Sequence, residues 1–482
     1  MSRGRGPGRA PAPRAPQAEA AHCLVVELEQ LSDQAPLPRR TSVVVIGAGI
    51  SGLAAAYSLK SVGIEPIVLE REPYTGGRMS SECVGGYVID RGAYAIGGNA
   101  TNTLRLAHEL AGPEALSRIS PWQALYREGQ VHRYRGDSLS RVARHPGISF
   151  GSRIILARML LSARRNRQHL RLDAPDTVTY GLDNDSMTGY LLRAAGEEVL
   201  EYVAHPMTWA LHTPEPEETS SVVFLAALLQ LGRLELFNSS KGIGFLAEAI
   251  AARLDIRLGV GVHHVRADMA PEAGPVLLTL DDGTRLEADF AIVTVPAPQV
   301  AGLVPDLPRA AVDALREVPY ASSTPVALGL GRPMSETAFA LNLPRTEFRT
   351  VAAVTFEHNK HPSRVPEGRC LLMAYPGAEA GARLLGADDE RVVRAVLQDV
   401  DKLYPRISSQ VEFTRVYRWP HANAGLRPGD LARRAELRAA LPEGGPVFFA
   451  GDYLHSPSSI ESSLVSGLEA ADRVLRLLGA SA

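Results

Sequence analysis

The stretch Ser42–Glu72, SVVVIGAGISGLAAAYSLKSVGIEPIVLERE, decides how the rest of the chain is read. A β-branched run, Val43–Ile46, leads into glycines, a helix of small residues, another glycine, and a second apolar run, Ile67–Leu69, that closes on an acid. Neither run alternates with polar residues, as expected of strands buried on both faces of a parallel sheet. The unit is β-α-β. Gly47, Gly49 and Gly52 form G-x-G-x-x-G where strand meets helix. In that context Gly47 permits a tight turn, Gly49 lets a pyrophosphate approach the backbone, and Gly52 lets helix and strand pack closely. The pyrophosphate would rest on the helix N-terminus beside Ile50 and Ser51, where unpaired N–H groups and the positive dipole end favour anions. Glu70 stands at the spacing where a carboxylate accepts the ribose hydroxyls of an adenosine, and it would repel a 2′-phosphate, which disfavours NADP. Arg71 follows directly and joins the candidate set.

Two further segments separate FAD from NAD. Gly76-Gly77-Arg78 is a second glycine turn followed by a fixed cation, and after a hairpin comes Asp90-Arg91-Gly92 with Ala93 and Tyr94. A guanidinium binds phosphate bidentately, so Gly77 and Arg78 suit the far end of a long dinucleotide, an element that NAD sites do not need.

Outward from this core the chain has 482 residues, 45% hydrophobic and 22% charged, enough for two or three domains. Its formal net charge of −2 supplies no overall attraction to nucleic acid or an anionic membrane. Cys23, Cys83 and Cys370 lie far apart with no CxxC spacing, which suggests neither a disulfide framework nor a zinc site and fits a reducing cytoplasm. No metal centre is expected. The longest apolar stretch, Val222–Leu231, is too short to span a bilayer. Residues 1–40, rich in Arg, Pro, Ala and Gly, read as a disordered tail. The expected organisation is a Rossmann-like α/β nucleotide domain assembled from residues 41–100, 238–300 and 442–482. Interleaved with it is a mixed α+β substrate domain from 101–237 and 301–441. Within these, 101–231 reads as mostly helical, with amphipathic stretches at Ser152–Arg165 and Thr188–Glu201; Lys241–Leu254 reads as a helix, and Ile256–Val265, Val276–Leu280 and Ala291–Val295 as strands.

The glycine triplet, Glu70, Gly76-Gly77-Arg78, the Asp90–Gly92 turn and a late Ala450-Gly451-Asp452 resemble the flavin-containing amine oxidase superfamily, which includes amine oxidases, protoporphyrinogen oxidases and phytoene desaturases. The resemblance runs from Val43 to the C-terminus. It implies FAD in a two-domain fold like that of p-hydroxybenzoate hydroxylase. It places Glu70 on the adenosine ribose, Gly49 and Ser51 near the pyrophosphate, Arg78 beside the phosphates or the flavin end, and the backbone of Val265 beside the adenine. Gly451 and Asp452 would meet the ribityl chain or pyrophosphate, and Ile460–Ser463 would begin a last helix aimed at the flavin C2=O. That placement has its own physical sense, since reduced flavin carries negative charge there and a helix N-terminus stabilises it.

Amine oxidases of this superfamily carry a lysine that holds a water near flavin N5. Here lysine occurs only at positions 60, 241, 360 and 402, and the corresponding segment, Pro319–Leu328, reads PYASSTPVAL. This run, Arg418–Ala422 and the segments His205–Met207 and Pro214–Ser221 look instead like the protoporphyrinogen oxidase branch. The resemblance therefore implies dehydrogenation of an apolar or aromatic small molecule by hydride transfer to flavin N5, with O₂ or another acceptor reoxidising it. A haem-pathway oxidase and another biosynthetic amine oxidase or polyene desaturase both remain open, as do a redox-neutral isomerase or cyclase and a non-catalytic FAD protein. The chemistry asks mainly for a dry pocket that holds the reacting carbon close to N5. Tyr94, Trp209, Trp419 and Tyr453 are its candidate walls. His455 is the titratable group nearest Asp452 and the candidate proton acceptor. Arg91 pairs with a substrate carboxylate or with a nearby Glu. Ser152–Arg167 carries arginines beside an apolar stripe, and either rests on a membrane surface or turns that stripe to the core. A monomer or a homodimer is compatible with all of this.

Overall fold

A computed structural model describes residues 36–138, 140, 144–210, 214–230, 232, 235–270 and 274–479. The expected tail, apart from 36–40, and Cys23 lie outside the described residues.

The first layer is a sheet that draws its strands from distant parts of the chain. Its strands are β1 (Arg40–Ile46), β2 (Ile67–Glu70), β3 (Asp255–Leu258), β4 (Val262–Arg266), β5 (Val276–Leu280) and β6 (Arg285–Val293), in the order β3-β2-β1-β6-β5-β4, with Val447–Phe449 added beside the end of β6. The pairs β3-β2, β2-β1, β1-β6 and β6 with Val447–Phe449 are parallel, and the β4-β5-β6 meander is antiparallel. The continuous apolar run in β1 is used on both faces. Val43 and Val45 enter one core with α1 (Ile50–Ser61) and the last helix, Ile460–Leu477; Val44 and Ile46 enter another beneath the helices at Ala297–Leu303 and Arg309–Arg316. Gly467 sets how closely the first and last helices approach, because a Cβ there would lie 2.0 Å from the carbonyl oxygen of Ser51.

The second layer is an antiparallel sheet of seven strands, from Val411–Val416 at one edge to Gln130–Arg135 at the other, with one parallel pair, Ala340–Asn342 beside Trp122–Arg127. Its helical cap contains α3 (Phe150–Arg165) and α4 (His205–Ala210), whereas α2 (Thr101–Ala111) packs in the first layer's core with α1 and the last helix. The mixed α/β, two-sheet fold matches the expectation. Three local readings are corrected. The stretch read as mostly helical contains the hairpin Trp122–Arg135, turned by Glu128 and Gly129 with φ of 52° and 79°, a left-handed pair that joins twisted strands without splaying them. Thr188–Glu201 is not one helix: Gly196, at φ 82°, ends Met187–Ala194 and starts a new turn. Ile256–Val265 is two strands, broken around Gly259 at φ 72°. In α3 the apolar stripe Leu156, Met159, Leu160 and Ala163 turns to the core, while Phe150, Ile154 and Leu161 stay exposed beside its arginines. Among the described residues no helix is long and apolar enough to cross a membrane.

A four-charge cluster without solvent exposure joins the layers. Asp90, which ends the hairpin after the second glycine turn, lies 3.2 Å from Lys360 Nζ and 2.9 Å from Arg364 Nη2; Glu357 lies 2.8 Å from each cation. Asp90 also accepts from Ser81 Oγ, Asn238 Nδ2 and Ile243 N, so three separate segments converge on one carboxylate. Burial pushes its pKa up, but Arg364 and Lys360 overcome this and hold it well below the ordinary carboxylate range. Asp90→Asn leaves two buried cations facing one anion and should lower unfolding stability at pH 7 by about 3–5 kcal/mol, read from denaturant midpoints. Because the folded-state value is depressed, the wild type loses this contribution as pH falls below about 4, and the gap between the two proteins should close there.

Candidate active site

The two glycine turns lie against each other. Gly47 donates to the Leu69 carbonyl at 2.8 Å, and Gly76 donates to the Ala48 carbonyl at 2.8 Å, so the second turn is laid on the first. Gly47 has φ 105° and Gly76 φ 91°, conformations that a side chain rarely adopts. At Gly52 a Cβ would lie 1.9 Å from the Gly47 carbonyl oxygen, so the packing itself requires glycine. Gly49 differs: its φ is −70°, and a Cβ there would meet nothing within 4 Å. The protein does not need glycine at 49, so the open space fits a ligand backing onto the loop. Helix α1 also begins without a side-chain cap, which leaves its first N–H groups for an anion. Glu70 Oε2 accepts from Ala48 N at 2.7 Å and Oε1 from Glu72 N at 2.9 Å, placing the carboxylate over the turn; burial raises its pKa against those bonds.

The far end of this groove is organised by Asp452. Arg78 meets it bidentately at 2.7 and 3.0 Å, Tyr320 Oη donates to it at 3.0 Å, Ala424 N at 3.1 Å and Ser458 Oγ at 3.0 Å. Burial pushes Asp452 up, yet Arg78 and these donors hold it down at about 2. Tyr320 and Ala424 are paired in a two-stranded ribbon, β7 (Tyr320–Ser323) with β8 (Trp419–Ala424). The last helix, α5 (Ile460–Leu477), is capped by Ser459 in a reciprocal bond with Ser462, and Ser51 Oγ donates to the Ser463 carbonyl at 2.8 Å, so the starts of α1 and α5 meet. Glu461 turns away to cap α2 through Asn102 N and Thr103 N.

Gly47, Gly49, Ile50, Ser51, Gly52, Glu70, Gly77, Arg78, Gly451, Asp452, Ile460 and Ser463 thus stand on segments that these contacts join: the two glycine turns, the end of β2, the Gly451–Asp452 loop and the starts of α1 and α5. Val265 is wholly buried on the edge strand β4, paired with Leu278, and Arg71 is exposed beside Glu72.

Beyond β7 the ribbon borders a cavity of about 20 Å³, room for roughly one water, whose walls include His205, Thr208, Trp209, Glu215, Ser322 and Tyr375. Tyr94 stands behind it, its ring 5.7 Å from Trp209 and 6.1 Å from Tyr375, with its hydroxyl donating to the Ala210 carbonyl. Trp419 donates its ring N–H to the Arg91 carbonyl, and Arg91 itself pairs with Glu82 at 3.0 Å. Two expectations change here. Tyr453 is not a pocket wall: it is wholly buried in the apolar core with Val293, Val447 and Phe449, because the residue after Asp452 points to the opposite side. His455 is not in this cavity wall; its Nε2 lies 2.9 Å from Glu469 on α5. The cavity's own histidine, His205, stands in the segment noted only for its likeness to a linker. The signal available in the sequence was a histidine directly before a proline within a helical stretch.

Residues 50–475 match the family described as flavin containing amine oxidoreductase. The coproporphyrinogen III oxidase of Bacillus subtilis (strain 168) is 25% identical over 454 residues, 85% of this chain and 93% of that protein. An L-amino-acid oxidase of Mus musculus is 24% identical over 472 residues, 90% of this chain and 70% of that one. Among solved structures, cyclohexylamine oxidase from Brevibacterium oxydans IH-35A superposes with a TM-score of 0.71 at 20% identity, covering 91% of this chain and 99% of that one, a likeness of fold. With its paired glycine turns, its Arg78–Asp452 groove and a family match across nearly all described residues, the chain belongs to the flavin-containing amine oxidoreductases and is an FAD-dependent oxidoreductase.

Proposed function

We propose that the chain oxidises a porphyrinogen, with coproporphyrinogen III as the first candidate. FAD, when bound, supplies the acceptor for the hydride. Gly47, Gly49 and Ser51 would hold its pyrophosphate at the start of α1, Glu70 its adenosine ribose, Arg78 and Asp452 its middle, and the N-terminus of α5 the polar edge of its ring system. The ribbon β7-β8 and the aromatic cluster around Trp209 would exclude water and position the substrate. The observation that carries the branch is the absence of lysine from β7. The remaining lysines do not replace it: Lys360, the one in the cluster beneath Tyr94, is committed to Asp90 and Glu357. The full-length similarity to a coproporphyrinogen III oxidase supports the same reading.

A second reading, a small amine or amino acid, is favoured by the narrowness of the cavity. A tetrapyrrole enters only if α4 and the ribbon move apart, whereas a small amine needs less room. O₂ is the acceptor to test first in either case.

The cofactor placement predicts a split between neighbouring glycines. Gly49→Val should fold with an unchanged melting profile but lose flavin at least about tenfold in affinity, a cost of about 1.4 kcal/mol or more. Gly52→Ala should instead lose folded protein, because its methyl meets the Gly47 carbonyl. Equal flavin retention in Gly49→Val and wild type would contradict the placement. For the substrate, anaerobic mixing with coproporphyrinogen III should bleach the flavin, while L-leucine and putrescine should not; bleaching by an amine alone favours the second reading.

A further inference from the structure

The cavity beside the ribbon contains a histidine–carboxylate pair that the dinucleotide site leaves unused. His205 is the first residue of α4 and follows a π-helical turn, Leu200–Ala204. Pro206 accounts for that turn: it has no N–H to give and its ring crowds the carbonyl four residues earlier, so the backbone widens there. The wider turn carries His205 into the cavity wall, where only 4% of it is exposed. Its Nε2 lies 3.3 Å from Glu215 Oε2 without hydrogen-bond geometry, so His205 Nδ1 and Glu215 Oε2 are both buried with no hydrogen-bond partner among the described residues. An orphaned ring nitrogen in a polar cavity wall is costly unless something uses it.

The charges around the pair are unbalanced. Arg345, from the segment after Ala340–Asn342, gives its hydrogen bonds to Glu201 and Glu217, each at 2.8 Å, and approaches Glu215 only to 4.0 Å. Three carboxylates therefore face one guanidinium, and Glu215 is the one left to His205. Burial raises the pKa of Glu215, but His205, the Glu379 N–H and Arg345 bring it below the ordinary value, so it is a carboxylate at neutral pH. From the other described residues lining the cavity come Thr208 on α4, Ser322 and Ser323 on β7, and Tyr375 on the strand Cys370–Pro376; among these described residues none brings a cation. This end of the cavity favours a group that becomes positive.

We propose that His205 accepts the proton from a substrate N–H adjacent to the carbon being oxidised, and that Glu215 is its positioning residue. The assignment rests on the oxidation reading above and narrows the substrate to one with an N–H beside the reacting C–H, as in a pyrrole-linked or secondary-amine carbon. The Glu215 carboxylate 3.3 Å away favours the ring hydrogen on Nε2, which leaves the lone pair on Nδ1, the arrangement of a base oriented by a carboxylate. The C–H bond breaks with its electron pair leaving to FAD and the N–H proton passes to Nδ1; in an amine a C=N bond forms at the reacting carbon, and in a porphyrinogen the meso carbon becomes double-bonded to the pyrrole α-carbon while the ring double bonds shift to place a C=N within that ring. The substrate loses two electrons and FAD gains them, while the imidazolium is balanced by Glu215.

The test uses the FAD-loaded enzyme and two independent measurements. Nitrogen-15 NMR of histidine-labelled protein needs no substrate: the His205 ring should carry its hydrogen on Nε2 in the wild type and lose that preference in Glu215→Ala. A wild-type ring protonated on Nδ1 instead would overturn the assignment. Stopped-flow bleaching by coproporphyrinogen III, or by putrescine if that amine is the probe that bleaches the wild type, should slow toward acid in the wild type. In His205→Gln it should be slower by about 10²–10⁴-fold and lack the acid limb. Flavin occupancy and melting temperature of the variant exclude a folding defect. A slower His205→Gln that keeps the wild-type acid limb overturns the proton role. A wild type bleached by neither probe defeats the oxidation reading, and the NMR result still decides the dyad.

Discussion

The bidentate contact between Arg78 and Asp452 is the interaction on which the site depends. The two residues are 374 positions apart, one in the second glycine turn and the other in the loop before the last helix. Asp452 is buried, and a buried carboxylate is tolerable only with a matched cation and its remaining lone pairs occupied. Arg78 provides the first, and Tyr320, Ala424 and Ser458 the second. Arg78 in turn also donates to the carbonyls of His421 and Ala422 on β8. One ion pair thereby fixes the glycine turn, the final loop and the ribbon that leads toward the cavity.

The buried cluster of Asp90, Glu357, Lys360 and Arg364 performs a related task one layer away. It closes the hairpin after the glycine turn onto the second sheet, and Lys360 Nζ lies 5.7 Å from the ring centre of Tyr94. Two cations and two anions balance, so the cluster adds no net charge beneath the aromatic wall. The excess charge of the region lies instead around Arg345, where Glu201, Glu215 and Glu217 outnumber it and Glu215 alone reaches the cavity wall. A neutral floor and an acidic side suit a substrate that enters uncharged and acquires positive character as its hydride leaves.

Much of this was legible before any coordinates. The β-α-β unit and the second glycine turn announce themselves through short-range rules: runs without alternation, glycines at fixed spacing, an acid at a strand end; the late Gly451-Asp452 stood out only through its resemblance to the family. The Trp122–Arg135 hairpin was legible too, as alternating residues around Glu128-Gly129, but the helical texture of its surroundings obscured it. Tyr453 was misread because proximity in sequence to Asp452 says nothing about which side of the strand end a ring occupies.

The sequence by itself determined the nucleotide-binding architecture, because turns that need glycine and strands buried on both faces are properties of a few consecutive residues. Only the tertiary structure decided the rest. Arg78 finds Asp452, Lys360 is spent on Asp90, and His205 meets Glu215 because strands and helices far apart in the chain pack together, and the partner of a buried charge is set by that packing rather than by any local pattern.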